Sequence, residues 1–368
     1  MLNLAAQNAS VRDEVRAAID RVLDSQSFIL GPEVEAFEAE IARLCDVPHA
    51  IGVSSGSDAI LATLMALGIG PGDEVVVPTF TFFATAGCVA RVGARPVFVD
   101  ILPDTFNIDP DAVAAAITPQ TRAIIPVHLY GQCADMDRIT TLAERHGLAV
   151  IEDAAQALGA AFAGRPAGSL GTAGAFSFYP TKNLSAAGEA GLIVTRDDDL
   201  AGKLRYIRDH GQNPRYYYRC IGGNFRLDGI QGAVLRVKLK RLADWNERRR
   251  RNAARYDAAL NGHAITAPSV DPRCRHIYHQ YTVRCPQRDM LQKHLAEAGV
   301  GSAVYYPLCL HQQPCFADLG YKEGDCPVAE QAAREVLSLP ISPELTTAEQ
   351  DHVIAALARF APAAAPQG

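Results

Sequence analysis

The chain has 368 residues, 48% of them hydrophobic, which is enough apolar material for a sizeable core and two unequal domains and excludes a disordered or fibrous chain. With 35 Lys and Arg against 41 Asp and Glu, the formal net charge is -6. No long basic tract is present to meet a phosphate backbone, so nucleic acid is not an expected partner. The densest basic run, between Asn246 and Tyr256, reads as a solvated or interface-facing helix surface. Nine cysteines, an odd number without a CxxC pair, fit a reduced intracellular protein better than a disulfide scaffold or a zinc knot. Neither a leader-like start nor a long apolar run appears. The expectation is a cytoplasmic protein with no membrane partner.

In chain order, amphipathic patterns predict helices from about Val11 to Val22 and from about Pro32 to Leu44, the second with proline in its first turn. From Ile51 the rhythm changes to short apolar strands alternating with small-residue helices. "HAIGVSS" leads into a helix beginning near Ser57 or Asp58. The strands "EVVVPTF", "RPVFVD", "RAIIPVHLYG", "LAVIEDAA", "AGAFSFYP" and "AGLIVT" follow, with helices "TFFATAGCVARVG", "DAVAAAIT" and "MDRITTLAERHG" between them. This alternation of near-continuous apolar strands with helices predicts an α/β fold with a mostly parallel sheet covered on both faces. Binding residues should gather beyond the carboxyl ends of its strands. A long helical pattern from near Asp228 to Leu260 reads as two helices or a connector. The segments after His263, among them "YHQYTVRC", "DMLQKHLAEAG", "SAVYYP" and "AEQAAREVLSLP", suggest a smaller α/β domain. The expected division is a large domain over 1–245, a small one over 246–360 and a disordered tail at 361–368.

Three local patterns carry chemistry. In "GVSSGSDAI", the serines and Asp58 sit at a strand-to-helix turn, which reads either as an ordinary helix cap or as a phosphate cradle. In "VIEDAAQALGA", Asp153 leaves a strongly apolar strand, where a carboxylate is costly unless paired; it either caps the next helix or faces a cationic partner. In "GAFSFYPTKNLSAAGEAG", Lys182 follows a short hydrophobic strand among small residues. It is either a loop lysine or an amine with a lowered pKa, able to attack a carbonyl and act as a base. No compact ligand set surrounds His128, His146 or His279, so no metal is expected, and His146 reads as a surface residue at a helix end.

These patterns, together with "PTFTFFATA", "HLYGQCADMD", "GGNFRLDGIQGAVLRVKL" and "YHQY", resemble over nearly the whole length the DegT/DnrJ/EryC1/StrS aminotransferases. The resemblance implies a type I aminotransferase fold and pyridoxal 5'-phosphate (PLP) as cofactor. It also implies transfer of an amino group from L-glutamate to a keto nucleotide sugar, at C3 or alternatively C4 of the hexose. Position by position, Lys182 is similar to the lysine that carries the cofactor as a Schiff base, and Asp153 to the partner of the pyridine nitrogen. Gln156 matches the residue beside the ring oxygen, and Phe82 the aromatic that stacks on the ring. Ser57 and Ser177, with backbone groups of Gly56 and Asp58, match phosphate ligands. Asn224 matches a residue reaching the phosphate from a neighbouring subunit, which implies a homodimer with shared sites. Arg226, Tyr306 and His311 fall near where substrate groups are bound; the alternatives are a pair between Arg226 and Asp228 or another carboxylate, and a structural role for His311. Ser185 and Ala190 replace glycines common in the family, and Ser57 stands where threonine is frequent. Related dehydratases carry histidine at the lysine position, so Lys182 points to transamination. A homologue that binds the cofactor as a regulator is the alternative of a different class.

Overall fold

The computed structural model describes residues 3–361, so the expected tail lies, apart from Ala361, outside the described residues. Three helices open the chain: α1 (Leu4–Ala9), α2 (Arg12–Ser25) and α3 (Pro32–Leu44). Then β1 (His49–Val53), α4 (Gly56–Ala66), β2 (Glu74–Pro78), α5 (Ala84–Arg91), β3 (Arg95–Val99), α6 (Pro110–Ala116) and β4 (Thr121–Ile124) alternate as the apolar rhythm requires. They are followed by α7 (Met136–His146), β5 (Ala149–Asp153), the two-residue strands β6 (Ala161–Phe162) and β7 (Arg165–Pro166), β8 (Ala173–Ser177), β9 (Gly191–Thr195) and α8 (Asp198–Ile207).

Seven strands form one sheet in the order β1-β9-β8-β5-β4-β2-β3. Every pairing is parallel except those of β9, which runs antiparallel to both β1 and β8. Side-chain alternation splits the apolar residues between two faces. Val75, Val77 and Ile151 pack with α4, α5 and α8, while Val76, Ile124 and Val150 pack with α3 and α7. Both faces are therefore dry, and only the strand ends are open to build a site. The strand expected over "RAIIPVHLYG" stops at Ile124, two residues before Pro126, which has no amide N–H for a ladder.

The long helical pattern divides into α9 (Gly229–Leu239) and α10 (Leu242–Leu260). The remainder comprises β10 (Cys274–Arg275), β11 (Tyr281–Arg284), α11 (Arg288–Glu297), α12 (Pro327–Glu335), β12 (Val336–Leu339) and α13 (Thr347–Ala358). β11 and β12 pair antiparallel, and α10, α11 and α13 bury Tyr256, Leu291 and Leu357 in a separate apolar cluster beside them. "SAVYYP" forms no strand, only a bridge from Ala303 to Ser338.

Arg249 departs from the expected solvated basic face. Only 1% exposed, it donates through Nη1 to the carbonyls of Tyr278, His279 and Ile341. Its neighbours Arg248 and Arg250 do pair at the surface, with Asp244 and Glu247. All nine cysteines are free thiols. Among the described residues no helix is long and apolar enough to cross a membrane, and no group of His, Cys, Asp or Glu side chains could hold a metal ion.

Candidate active site

The carboxyl ends of β1, β2, β5 and β8 surround a cavity of about 550 Å³. At the first of them, Ser55 caps α4 by accepting from the N–H of Asp58 at 3.0 Å. The Asp58 carboxylate in turn accepts from the hydroxyls of Ser54 at 2.6 Å and Ser55 at 3.0 Å. Asp58 therefore differs from the expected phosphate ligand: its N–H and carboxylate build the turn, and it does not line the cavity. Gly56 and Ser57 do line it, and their N–H groups, at the first two helical positions, have no intrahelical acceptor. Gly56 lies so close to the end of β8 that a Cβ there would sit 2.6 Å from the Cβ of Ser177. An anion at this point would meet two backbone donors and the hydroxyls of Ser57 and Ser177.

Asp153, the last residue of β5, is 5% exposed and faces the same cavity. Its Oδ2 accepts from the hydroxyl of Thr85 at 2.7 Å and its Oδ1 from the N–H of Ala155 at 3.2 Å. Two donors and no paired guanidinium leave the carboxylate able to meet a cationic N–H. Gln156 is held on both sides, accepting from the N–H of Tyr130 at 2.7 Å and donating to the hydroxyl of Tyr306 at 3.3 Å. Phe82 and Tyr306 share the cavity wall with their rings 6.4 Å apart. Burial pushes the Tyr306 phenol up, with the charge of Asp153 adding to it, so this hydroxyl stays protonated.

Lys182 lies in the turn after β8 and lines the cavity. The surrounding protein desolvates its ammonium and holds the pKa down at about 8, against the opposing pull of Asp153. An amine tuned this way is roughly a tenth neutral at pH 7, far more than an ordinary lysine, and so more available as nucleophile and base. The glycine replacements are accommodated: Ala190 is buried, and the Ser185 hydroxyl lies 3.2 Å from Nζ of the buried Lys238.

Besides Asp58, three expected residues stand outside this cavity. His311 is enclosed, its Nδ1 against the Thr79 hydroxyl at 2.6 Å and its Nε2 against Glu330 at 3.2 Å, so both ring nitrogens are consumed and none reaches a ligand. Arg226 pairs with Asp209 at 2.9 Å, so of the alternatives of Asp228 or another carboxylate the structure takes the second. Asn224 is exposed and bridges to Asp209 through its backbone. Conversely, Thr85, Glu189 and Gln280 belong to the site without having been singled out, as does His279, which was weighed only as a metal ligand. Thr85 and His279 lie within the strings "PTFTFFATA" and "YHQY", but nothing local distinguishes them there.

The model of the DegT/DnrJ/EryC1/StrS aminotransferase family matches residues 9–358. A Geobacillus stearothermophilus protein named "Pleiotropic regulatory protein" is 54% identical over 98% of this chain and 98% of its own. A UDP-N-acetyl-3-dehydro-alpha-D-glucosamine 3-aminotransferase from Acidithiobacillus ferrooxidans is 48% identical over 94% of this chain and 93% of its own. The crystal structure of S. venezuelae DesV in complex with a ketimine intermediate superposes with a TM-score of 0.95 at 47% identity, covering 96% of both chains. Similarity of this depth runs through every element that frames the cavity, and the chain belongs to the DegT/DnrJ/EryC1/StrS aminotransferase family.

Proposed function

We propose that the protein is a PLP-dependent transaminase that moves the amino group of L-glutamate to the C3 keto group of a nucleotide-diphosphate-linked hexose, serving amino-sugar and polysaccharide biosynthesis in the cytoplasm. The observation that carries this reading is the placement of Lys182, Asp153 and the open N-terminus of α4 in one cavity. The residues fit PLP: the close approach of Gly56 to Ser177 leaves an anion cradle, the buried Asp153 carboxylate suits a protonated ring nitrogen, and the lowered pKa of Lys182 suits attack on an aldehyde. The name of the Acidithiobacillus relative supports the 3-position.

When bound, PLP supplies the electron sink that stabilises negative charge at the substrate carbon. The protein supplies the rest. The N–H groups of Gly56 and Ser57, with the Ser57 and Ser177 hydroxyls, hold the phosphate. Asp153, oriented by Thr85 and the Ala155 N–H, keeps a proton on the ring nitrogen by its charge. Gln156 would meet the ring oxygen, Phe82 would stack on the ring, and Tyr306 would offer its hydroxyl to substrate. The Lys182 amine takes the proton from the donor carbon and returns it elsewhere, a transfer made efficient by its fixed position.

Asn224 and Arg226 are proposed to serve the cavity of a second copy. Both lie away from their own cavity and share a loop with Tyr216, Tyr217, Tyr218 and Ile221, all strongly exposed. The large domain is proposed to span 1–245 and the small one 246–360.

The test is incubation with heavy-nitrogen glutamate and a panel of 3-keto and 4-keto nucleotide sugars, followed by mass. Label entering a 3-keto sugar is expected; label entering only 4-keto sugars would move the position, and label entering none would overturn the reading. A regulatory role is the second reading, favoured by the name of the Geobacillus relative. It predicts a protein whose visible spectrum is unchanged by glutamate.

A further inference from the structure

A buried polar network beside Lys182 fixes the hydrogen positions of a histidine that the steps above leave unused. The chain of reasoning starts at a carbonyl, which can only accept. Asn246 donates its Nδ2 to the carbonyl of Leu158 at 3.2 Å, so its other atom, Oδ1, accepts from Asn183 Nδ2 at 2.7 Å. That leaves Asn183 Oδ1 as an acceptor, 3.1 Å from Nδ1 of His279. Nδ1 therefore carries a hydrogen. Burial holds the His279 pKa well below the ordinary histidine range, and the positive charges of Lys182 and Arg249 push it further down. The ring is neutral, so Nε2 is a bare lone pair.

His279 is 7% exposed and lines the same cavity as Lys182. Among the described residues no donor engages its Nε2, and no acceptor hydrogen-bonds the Lys182 amine. Both groups are held from behind. Arg249 donates to the carbonyls of Tyr278 and His279, and Asn183, the residue next to Lys182, ties the imidazole to the lysine's own turn.

Resting on the function proposed above, we infer that Nε2 of His279 becomes the acceptor for the Lys182 amine when that amine acts as the base, a contact that a rotation of the lysine side chain within the shared cavity brings about. One N–H of the amine donates to Nε2, which leaves the nitrogen lone pair directed elsewhere to take a proton. After protonation the ammonium still donates to Nε2. The imidazole does not capture the proton, because its burial among cations disfavours a charged ring. His279 is thus a positioning residue: it sets where the base stands without competing for what the base carries.

Two substitutions separate this role from mere packing. Asn at this position keeps a donor toward Asn183 but withdraws the Nε2 acceptor, whereas Gln extends a carbonyl to the Nε2 position and gives up the tie. In the holoenzyme, His279→Asn is expected to lower kcat about tenfold, the equivalent of one lost hydrogen bond. The isotope effect with α-deuterated glutamate should rise while KM for the keto sugar stays unchanged, and His279→Gln should recover most of the rate. Nitrogen NMR of histidine-labelled holoenzyme, assigned by difference against His279→Asn, should show Nδ1 protonated and Nε2 bare. A protonated Nε2 would overturn the inference, as would a raised KM with an unchanged isotope effect, an unaltered kcat, or His279→Gln falling as far as His279→Asn. Wild-type enzyme that aminates no keto sugar counts instead against the proposed function, and the NMR readout still decides the state of His279.

Discussion

Thr85 donates its hydroxyl to Oδ2 of Asp153 at 2.7 Å, joining α5 to the end of β5 in a buried contact. The carboxylate has one further donor, the N–H of Ala155. Thr85 also lies 3.2 Å from the hydroxyl of Thr81, so the carboxylate is the end of a short hydroxyl chain. Replacing Thr85 with valine keeps the shape and removes the donor. A hydrogen bond to a charged group contributes about 1.5–3 kcal/mol, so Thr85→Val should lower kcat roughly tenfold or more. The cofactor's absorbance in the variant should also respond to acid at a different pH, because Asp153 holds the ring nitrogen less firmly. Identical kcat and spectra would show that Thr85 does not tune Asp153.

Gly56 supplies the second prediction. A Cβ there would fall 2.6 Å from Ser177 Cβ and 3.2 Å from Ser177 Cα, atoms near the backbone that cannot swing aside. Gly56→Ala must then push α4 away from β8 and open the proposed phosphate cradle. Overpacking of this kind costs about 1–3 kcal/mol. Equilibrium dialysis of PLP should show affinity weakened about tenfold with the helical content preserved. Wild-type affinity would place the phosphate elsewhere.

Lys182 supplies a pH dependence. Its pKa is lowered from 10.5 to about 8, chiefly by burial. The neutral amine is the nucleophile, so capture of PLP by the cofactor-free protein should quicken as pH rises toward about 8 and level off above it. Below that point the rate should fall about tenfold per unit, as the neutral fraction does. The sign for stability follows from the same shift. Between about 8 and 10.5 the unfolded chain holds this proton and the folded chain does not, so this group makes the cofactor-free protein more stable as pH rises through that window. Stopped-flow absorbance across pH 6 to 10 checks the first statement; a rate still climbing steeply near pH 10 would mean an ordinary lysine.

How much of this was legible in the sequence depends on how far each residue's partners lie along the chain. Lys182, Asp153 and Ser57 each follow an apolar strand closely, and a mostly parallel sheet brings all such ends to one edge. The sheet and cavity were thus readable from local pattern. His311 was not, because its fate is decided by Thr79, 232 positions away, and by Glu330. Arg249 looks like its surface neighbours in a run of arginines, yet on α10 each successive residue turns to a new face, and only packing against the Tyr278–His279 and Ile341 backbone reveals which one is inside. Thr85 and His279 carry no distinguishing spacing; their roles arise when α5 and the segment before β11 close over the strand ends.

The pairing of Arg226 with Asp209 leads to the last prediction. Within its own chain Arg226 lies outside the Lys182 cavity, beside exposed tyrosines, so a role in binding substrate requires a second copy. Two inactive variants can test this by exchange. Lys182→Ala lacks the base, and Arg226→Ala lacks the guanidinium; each alone should have little activity. If Arg226 serves the neighbouring subunit, a mixed dimer holds one cavity with an intact Lys182 from one chain and an intact Arg226 from the other. Random mixing at equal amounts makes half the dimers mixed, each with one competent site of two, so about a quarter of wild-type activity should return. Activity no greater than the mean of the two variants after subunit exchange would confine Arg226 to its own chain. In that case the bond to Asp209 is its whole role.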